Sequence, residues 1–187
     1  MYIQLFLDWE KTFDKVHQEQ LIHAIRTLNI PETIVKTIES FYKNPQFRIK
    51  DSEGNSTYKK QKTGIRQGCP LSPYLFILLM TVLFHDVYDE IRYKVLGFNI
   101  DLTSYFEILY ADDTMLMGKR AREINIILQQ IEIESENYNL KLNHSKCFYV
   151  GINGKADIHF KDGSRIKQVD QVTYLGGQIT STRAGTQ

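Results

Sequence analysis

The chain has 187 residues, of which 42% are hydrophobic and 24% charged. This is the composition of an ordinary globular domain, and it excludes a disordered or fibrous chain. The 23 basic and 22 acidic residues leave a formal net charge of +1. Nucleic-acid binding therefore has no whole-chain signal, although a local basic groove is not excluded.

Hydrophobic periodicity and turn residues divide the chain into short elements. For the first half they predict a strand over 2–7, helices over 17–30 and 31–44, a β-hairpin over 46–64, a Gly/Pro-rich loop over 64–73 and a long helix over 73–91. For the second half they predict two strands over 103–118, a helix over 121–140, a strand over 146–152, a hairpin over 156–169 and a strand pair or bulged strand over 171–180. Hairpins mixed with helices favour an α+β fold, an antiparallel sheet with helices packed on one face and small additional hairpins.

Cysteine usage and the N-terminus bear on localisation. Cys69 and Cys147 belong to no CxxC or Cys/His cluster, so reduced thiols are favoured over a single disulfide. The start "MYIQLFLDWEK" has no basic and apolar signal regions, which favours an intracellular protein, cytoplasmic or nuclear and not secreted. The apolar run over 74–84 is too short to cross a bilayer, so we expect a buried helix and no membrane partner.

The stretch "LYADDTMLM" over 109–117 places Asp112 and Asp113 between apolar runs. A solvated β-turn would explain an isolated Asp-Asp pair, but the apolar flanks press this turn against a core. Asp8 likewise ends the strand-like run over 2–7. If the two strands are neighbours in one sheet, Asp8 and Asp112 come together. Clustered carboxylates suit Mg²⁺, and two such ions about 4 Å apart can stabilise an in-line phosphoryl transfer.

Five segments, in this order, resemble the motifs of reverse transcriptases. They are "FLDWEKTFDKV" (6–16), "RQGCPLSP" (66–73), "YADD" (110–113), "LKLNHSKC" (140–147) and "YLGGQIT" (174–180). They most resemble the polymerases of non-LTR, LINE-like retrotransposons, with group II intron enzymes next. The resemblance implies a polymerase palm that uses two Mg²⁺ ions, or Mn²⁺, with Asp8 and Asp112 as principal ligands and Asp113 as a supporting carboxylate.

The resemblance also implies roles for residues that bind substrate. The carbonyl of Trp9 would complete the shell of one ion, and Phe13 would be the aromatic gate beside the position of a ribose 2′-OH. Lys146 would approach the triphosphate, unless it is a surface lysine at a strand edge. Thr12 departs from the alanine usual in the family. The remaining predicted contacts are Arg66 (phosphate, or a solvated loop charge), Gln67 and Gly68 (incoming nucleotide and template base), Tyr110 (the first residue of the signature), and Tyr174, Leu175 and Gly176 (primer 3′ end).

We therefore expect residues 1–187 to be a single partial reverse transcriptase domain, a palm with part of the fingers, in which the N-terminal fingers and the C-terminal thumb are absent. The implied partners are an RNA template, a DNA primer, dNTPs and other segments of a longer polyprotein, such as fingers, thumb and endonuclease. Two alternatives stay open. One is a truncated, non-catalytic remnant that at most binds nucleic acid or a partner; the other is an RNA-templated RNA polymerase, which Phe13 disfavours.

Overall fold

The structure is a computed structural model that describes residues 1–52, 54–95, 106–111 and 113–181. Its helices are α1 (Thr12–Lys15), α2 (Gln18–Thr27), α3 (Glu32–Tyr42), α4 (Ser72–Val95) and α5 (Ala121–Asn137). Its strands in the first half are β1 (Tyr2–Leu7), β2 (Gln46–Phe47), β3 (Lys50–Asp51), β4 (Gly54–Asn55) and β5 (Lys59–Lys60). Those in the second half are β6 (Phe106–Tyr110), β7 (Asp113–Gly118), β8 (Phe148–Ile152), β9 (Lys167–Gln168), β10 (Gln171–Tyr174) and β11 (Gly177–Thr180).

A five-stranded sheet in the order β6-β7-β1-β8-β9 forms the centre of the fold. The central strand β1 is antiparallel to both of its neighbours, β7 and β8. Alternate residues of β1 point to opposite faces of the sheet. Ile3 and Leu5 on one face are completely buried, and Phe6 on the other face is 4% exposed. Burial on both faces explains why β1 is a nearly continuous apolar run rather than an alternating one.

The helices cover one face of this sheet, as the sequence predicts. The main core joins Ile3 and Leu5 of β1 to Leu79 and Leu83 of α4 and to Ile127 of α5, all at most 1% exposed. Tyr138, just after α5, donates a hydrogen bond of 2.7 Å to Asp86 Oδ2 on α4. The sheet and the two long helices therefore share one core.

A small hairpin covers part of the opposite face. Strands β10 and β11 pair with each other, and Tyr174 in β10 lies edge-on to Phe6 with 5.1 Å between ring centroids. Phe6 also stacks on Phe148 of β8 at 5.0 Å. This second, smaller core fixes the hairpin next to the end of β1.

The predicted elements are present, with four local differences. The single-turn helix α1 was not predicted, because four residues show no helical periodicity. The predicted hairpin over 46–64 forms, but its strands are short pairs, and β4 lies in the segment predicted as its loop. The hairpin over 156–169 keeps its tight turn at Gly163, with only an isolated bridge between His159 and Arg165. Its last residues form β9, which joins the sheet parallel to β8. Among the described residues, no helix is both long and apolar enough to cross a membrane.

Candidate active site

Two carboxylates stand at the same edge of the central sheet. Leu7, the last residue of β1, pairs with Thr114 in β7. Asp8 follows Leu7 and Asp113 precedes Thr114, so the antiparallel register places the two acidic residues at neighbouring strand ends. The sequence left open whether the strands next to the acidic residues are neighbours. In the structure β1 pairs with β7, which begins at Asp113, whereas β6, the strand that leads to Asp112, is separated from β1 by β7. Asp112, the predicted principal partner of Asp8, lies outside the described residues.

The segment 140–147 holds Asp8 from the other side. The backbone N–H of Asn143 donates to the carbonyl of Asp8 at 2.8 Å. The ammonium of Lys146 lies 3.8 Å from Asp8 Oδ1, and its side chain is 66% exposed. This exposure leaves Lys146 free to reach beyond Asp8 toward a ligand, because the lysine stem is flexible. The segment over 140–147 is thus in contact with the segment over 6–16, as two of the five motif-like segments.

Buried groups beneath Asp8 fix its backbone. The indole N–H of Trp9 donates to Thr114 Oγ1 at 3.0 Å, and this hydrogen bond ties the end of β1 to β7. The backbone N–H of Asp8 donates to the Cys147 sulfur at 3.4 Å. Burial raises the pKa of the Cys147 thiol to about 12. Cys147 is a buried neutral anchor, and both it and Cys69 are free thiols.

Asp8, Asp113, Lys146 and Tyr174 line one cleft of about 430 Å³, together with Lys167 and other residues. Sequence reasoning missed Lys167, because it reaches this cleft only through the parallel pairing of β9 with β8. The Tyr174 hydroxyl is buried, and no described residue accepts or donates a hydrogen bond to it. Burial, and secondarily the Asp113 charge, raise the pKa of Tyr174. The hydroxyl therefore stays neutral beside the acidic edge.

The oxygen donors of this cleft fit the hard-cation chemistry of Mg²⁺, which takes one or two carboxylates and keeps several waters. Asp8 is 39% exposed at its side chain, so water reaches it. Within the described ranges, no group of three or more His, Cys, Asp or Glu residues is placed to hold a metal ion. Asp112, the third predicted ligand, is not among those residues, and the metal site stays a prediction.

Ala111, the residue after β6, has an unusual backbone conformation. Tyr110 of β6 pairs with Asp113 of β7, so only two residues connect these strands. Ala111 has φ of +54°, in the left-handed region that costs a residue with a Cβ roughly 1 kcal/mol or more. Tyr110 is 61% exposed and points to the same face of the sheet as Asp113. Its predicted role in substrate binding remains untested.

A second cleft of about 400 Å³ brings together Phe13, Gln67 and Gly68. Phe13 packs on Phe76 of α4 with 4.8 Å between ring centroids, and the rest of its half-buried ring faces the cleft. The Gln67 amide donates to Asp14 Oδ1 at 2.9 Å, which sequence reasoning did not anticipate.

Gly68 has φ of +80° with open space where a Cβ would stand, so its backbone is accessible to a ligand. Arg66 is exposed in the same loop, and its predicted phosphate contact remains untested.

The predicted primer-end segment is a tight hairpin turn. Leu175 and Gly176 both have positive φ, 49° and 81°, as a two-residue connection between twisted strands requires. Leu175 is 53% exposed, while Tyr174 is anchored on Phe6. The structure therefore brings Tyr174 to the carboxylates and leaves Leu175 and Gly176 at the tip, available to a partner.

A family model described as reverse transcriptase (RNA-dependent DNA polymerase) matches residues 2–179. The chain belongs to the reverse transcriptase family. It is similar to the Pol polyprotein of the type-2 retrotransposable element R2DM of Drosophila melanogaster, with 29% identity over 94% of the chain and 17% of the polyprotein. It is also similar to the Pol polyprotein of the R2 element of Nasonia vitripennis, with 26% identity over 79% of the chain and 14% of the polyprotein. These relatives support the predicted non-LTR retrotransposon origin. The chain thus spans less than a fifth of their length.

Solved structures agree on the fold. This chain resembles apo telomerase of Candida tropicalis, with a TM-score of 0.72 and 17% identity. The match covers 96% of this chain and 34% of the telomerase chain. It also resembles telomerase of Candida albicans in complex with a fragment of telomeric RNA, with a TM-score of 0.65, 15% identity, and coverage of 96% and 29%. At this identity the likeness supports the fold alone. It confirms the predicted α+β polymerase palm.

Proposed function

We propose that this chain is the palm of an RNA-directed DNA polymerase, which adds deoxynucleotides to a primer 3′-OH under the direction of an RNA template. The observation that carries the proposal is the shared cleft of Asp8, Asp113, Lys146 and Tyr174, where two paired strands end. Membership of the reverse transcriptase family supports the same reaction class. Since the chain is a small part of its curated relatives, other segments of a polyprotein are proposed to complete the enzyme.

In this proposal Asp8, Asp112 and Asp113 hold two Mg²⁺ ions, or Mn²⁺, and the carbonyl of Trp9 adds one more oxygen. The ions would supply charge stabilisation for the attacking and leaving oxygens. The rigid strand ends, tied by the hydrogen bond from Trp9 to Thr114, keep the carboxylates in place before substrate arrives. Lys146, 3.8 Å from Asp8, would pair with the triphosphate or donate a proton to the leaving pyrophosphate.

The second cleft would receive the sugar and base of the incoming nucleotide. Phe13 presents its ring where a 2′-OH would otherwise fit, which favours deoxynucleotides over ribonucleotides and argues against the RNA polymerase alternative. Gly68 offers an unobstructed backbone, and Gln67 is oriented by Asp14. Arg66 would contact phosphate, and Tyr174, Leu175 and Gly176 would position the primer end.

Primer extension on poly(rA)/oligo(dT) tests the proposal, with Mn²⁺ binding followed in parallel by electron paramagnetic resonance. Wild type is compared with Asp112→Asn and with Asp170→Asn, which alters an exposed carboxylate in the turn between β9 and β10. We expect Mn²⁺ binding to weaken at least tenfold in Asp112→Asn and to stay unchanged in Asp170→Asn. Extension by the isolated chain is expected to be weak, and any extension should be lost only in Asp112→Asn.

The non-catalytic alternative gives a different result. A folded wild-type chain would then neither extend the primer nor bind Mn²⁺ more tightly than Asp112→Asn does. Mn²⁺ binding without extension would support the metal site and would show that the chain requires additional segments for polymerisation. Extension that survives in Asp112→Asn would contradict the assignment of the carboxylates.

A further inference from the structure

The turn over 143–146 carries Lys146 to the edge of the candidate active site. The backbone N–H groups of Lys146 and Cys147 both donate to the Asn143 carbonyl, at 2.9 and 3.1 Å. The base of this turn is hydrogen-bonded to the end of β1. Its tip is attached to a different part of the molecule, through the side chain of His144.

The His144 ring is held between two carboxylates. Its Nε2 lies 3.1 Å from Glu132 Oε1 of α5, and its Nδ1 lies 3.7 Å from Asp162 Oδ2 in the hairpin over 156–169. Both ring nitrogens of a histidine carry a proton only in the imidazolium form. That form is the one that can pair with both carboxylates at once, so charge orients the ring on two sides.

The same ring stacks face to face on Phe160. The ring centroids of His144 and Phe160 are 3.6 Å apart, and the two planes differ by 4°. Phe160 is 1% exposed, so the half-exposed histidine ring covers a residue of the main core. A cation over an aromatic face adds electrostatic attraction to this packing. The tip of the turn is therefore held by packing as well as by charge.

Glu132 connects this contact to the rest of the fold. Its side chain is only 12% exposed, and its Oε2 accepts a hydrogen bond of 2.7 Å from the backbone N–H of Lys161. A carboxylate with so little access to water is costly unless its oxygens are paired. Loss of the His144 ring would leave Glu132 Oε1 without its imidazole partner and would detach the turn from α5.

We propose that His144 is a positioning residue for Lys146. Its contacts with α5 and with the hairpin over 156–169 fix the tip of the turn, so that the lysine extends past Asp8 toward the phosphates of the incoming nucleotide. The inference rests on the proposed function, which gives Lys146 its role in nucleotide transfer. The attachment of the turn, in contrast, needs neither metal nor substrate, and it can be tested separately.

Amide hydrogen exchange of the 187-residue chain in EDTA, followed residue by residue by NMR, tests the attachment. In His144→Ala, exchange at the amides of Lys146 and Cys147 should become roughly fivefold faster or more, about the effect of losing one hydrogen bond. The amide of Leu79, in the middle of α4, should exchange at the wild-type rate. Equal acceleration at Leu79 would mean a general loss of stability and would contradict a local role.

Two further substitutions separate the contacts of the ring. His144→Gln keeps an N–H within reach of Glu132 and should restore most of the lost protection. His144→Phe keeps a ring over Phe160 but has no donor, so its turn amides should exchange faster than those of His144→Gln. His23→Ala, which removes an exposed histidine of α2, is the matched control and should behave as wild type does. Wild-type exchange in His144→Ala would overturn the proposal.

A double-mutant cycle in primer extension tests whether His144 acts through Lys146. In a form of the enzyme that extends the primer, His144→Ala should lower kcat roughly tenfold and change the KM for dTTP less than about twofold, because a misplaced group costs transition-state stabilisation. In the Lys146→Ala background the same substitution should change kcat less than about twofold, because the positioned group is absent. Equal losses of kcat in both backgrounds would overturn the positioning role.

The two measurements distinguish failure of this inference from failure of the proposed function. Faster exchange at the turn in His144→Ala supports the attachment even if Lys146→Ala leaves primer extension unchanged, a result that would contradict the proposed role of the lysine. Loss of extension in Lys146→Ala with wild-type exchange in His144→Ala would support the proposed function and contradict this inference.

Discussion

Phe13 illustrates how one side chain combines a structural and a chemical role. One side of its ring packs on Phe76, so the ring is held in a fixed orientation, and the other side lines the cleft with Gln67 and Gly68. The family resemblance implies the gate, and the packing on Phe76 restricts the orientation of the ring. In the proposed gate, a ring packed in this way would discriminate by steric exclusion.

Replacing Phe13 by Ala should therefore increase the ratio of ribonucleotide to deoxynucleotide incorporation by roughly tenfold or more, because the 2′-OH gains space. The measurement is competitive incorporation by any form of the enzyme that is active. Phe41→Ala, which removes an exposed ring on α3, is the control and should leave the ratio unchanged. An unchanged ratio in Phe13→Ala would remove the gate assignment.

Gly64 is a second position where one atom decides the local structure. Its φ is +90°, and an added Cβ would lie 2.8 Å from the Phe13 carbonyl oxygen and 2.9 Å from that of Asp14. Gly163 has a similar φ of +85° but open space around it. Both Gly→Ala variants impose backbone strain, and only Gly64→Ala adds a steric clash.

We expect Gly64→Ala to lower the free energy of unfolding by about 1–3 kcal/mol more than Gly163→Ala does. Urea denaturation of the two variants and wild type measures the difference. Equal losses would mean that the loop moves away from Phe13 without cost. In that case the close approach of Gly64 to the backbone of Phe13 and Asp14 would not constrain the loop.

At the scale of elements, a hydrogen bond between Tyr138, just after α5, and Asp86 of α4 accompanies the apolar packing of the two helices. Tyr138 is 4% exposed and donates to Asp86. Burial and the Asp86 charge raise the pKa of Tyr138, because both disfavour the phenolate. The unfolded chain ionises this tyrosine near its ordinary pKa of about 10. The contribution to stability is therefore complete below about pH 10 and is lost as the pH rises above it.

Tyr138→Phe should cost about 1 kcal/mol at pH 7, since Asp86 loses a donor but keeps access to water. Between pH 10 and 11 the free energy of unfolding should fall less in the variant than in wild type, so the values for the two proteins converge. Urea unfolding at pH 7, 10 and 11 measures this. Tyr42 and Tyr174, whose pKa values are also raised, are present in both proteins and cancel in the difference. If the free energies of unfolding of the two proteins instead fell in parallel with pH, the raised pKa of Tyr138 would be contradicted.

The elements that sequence reasoning found are those with a long periodic or apolar signal, such as β1, α4 and α5. It also indicated that Asp8 could meet the "YADD" turn, because Asp8 directly follows one apolar run and Asp113 directly precedes another. It could not predict β9, since a two-residue strand has no period and its pairing with β8 depends on tertiary contacts. For the same reason Lys167 was missed in the cleft.

At the scale of the molecule, the main core contributes to both clefts, and the smaller core around Phe6 adds Tyr174 to the first. Trp9 is the single tryptophan of the chain, is 5% exposed, and belongs to the same buried cluster as the helices α4 and α5. Because Trp9 follows Asp8 directly, its fluorescence reports on the candidate active site. Far-UV circular dichroism, in contrast, reports mainly on the helices. A shared core predicts that both signals change in one transition.

Leu5, in the middle of the central strand and completely buried, tests this coupling. Leu5→Ala should lower the free energy of unfolding by about 2–5 kcal/mol through lost burial and a new cavity. Both probes should shift to the same lower urea midpoint. Ile34→Ala, at a 51% exposed position of α3, should change the midpoint little. If Trp9 fluorescence changed before the helical signal, the carboxylate edge would be a separate unit of lower stability, and a preorganised metal site would not follow from this fold.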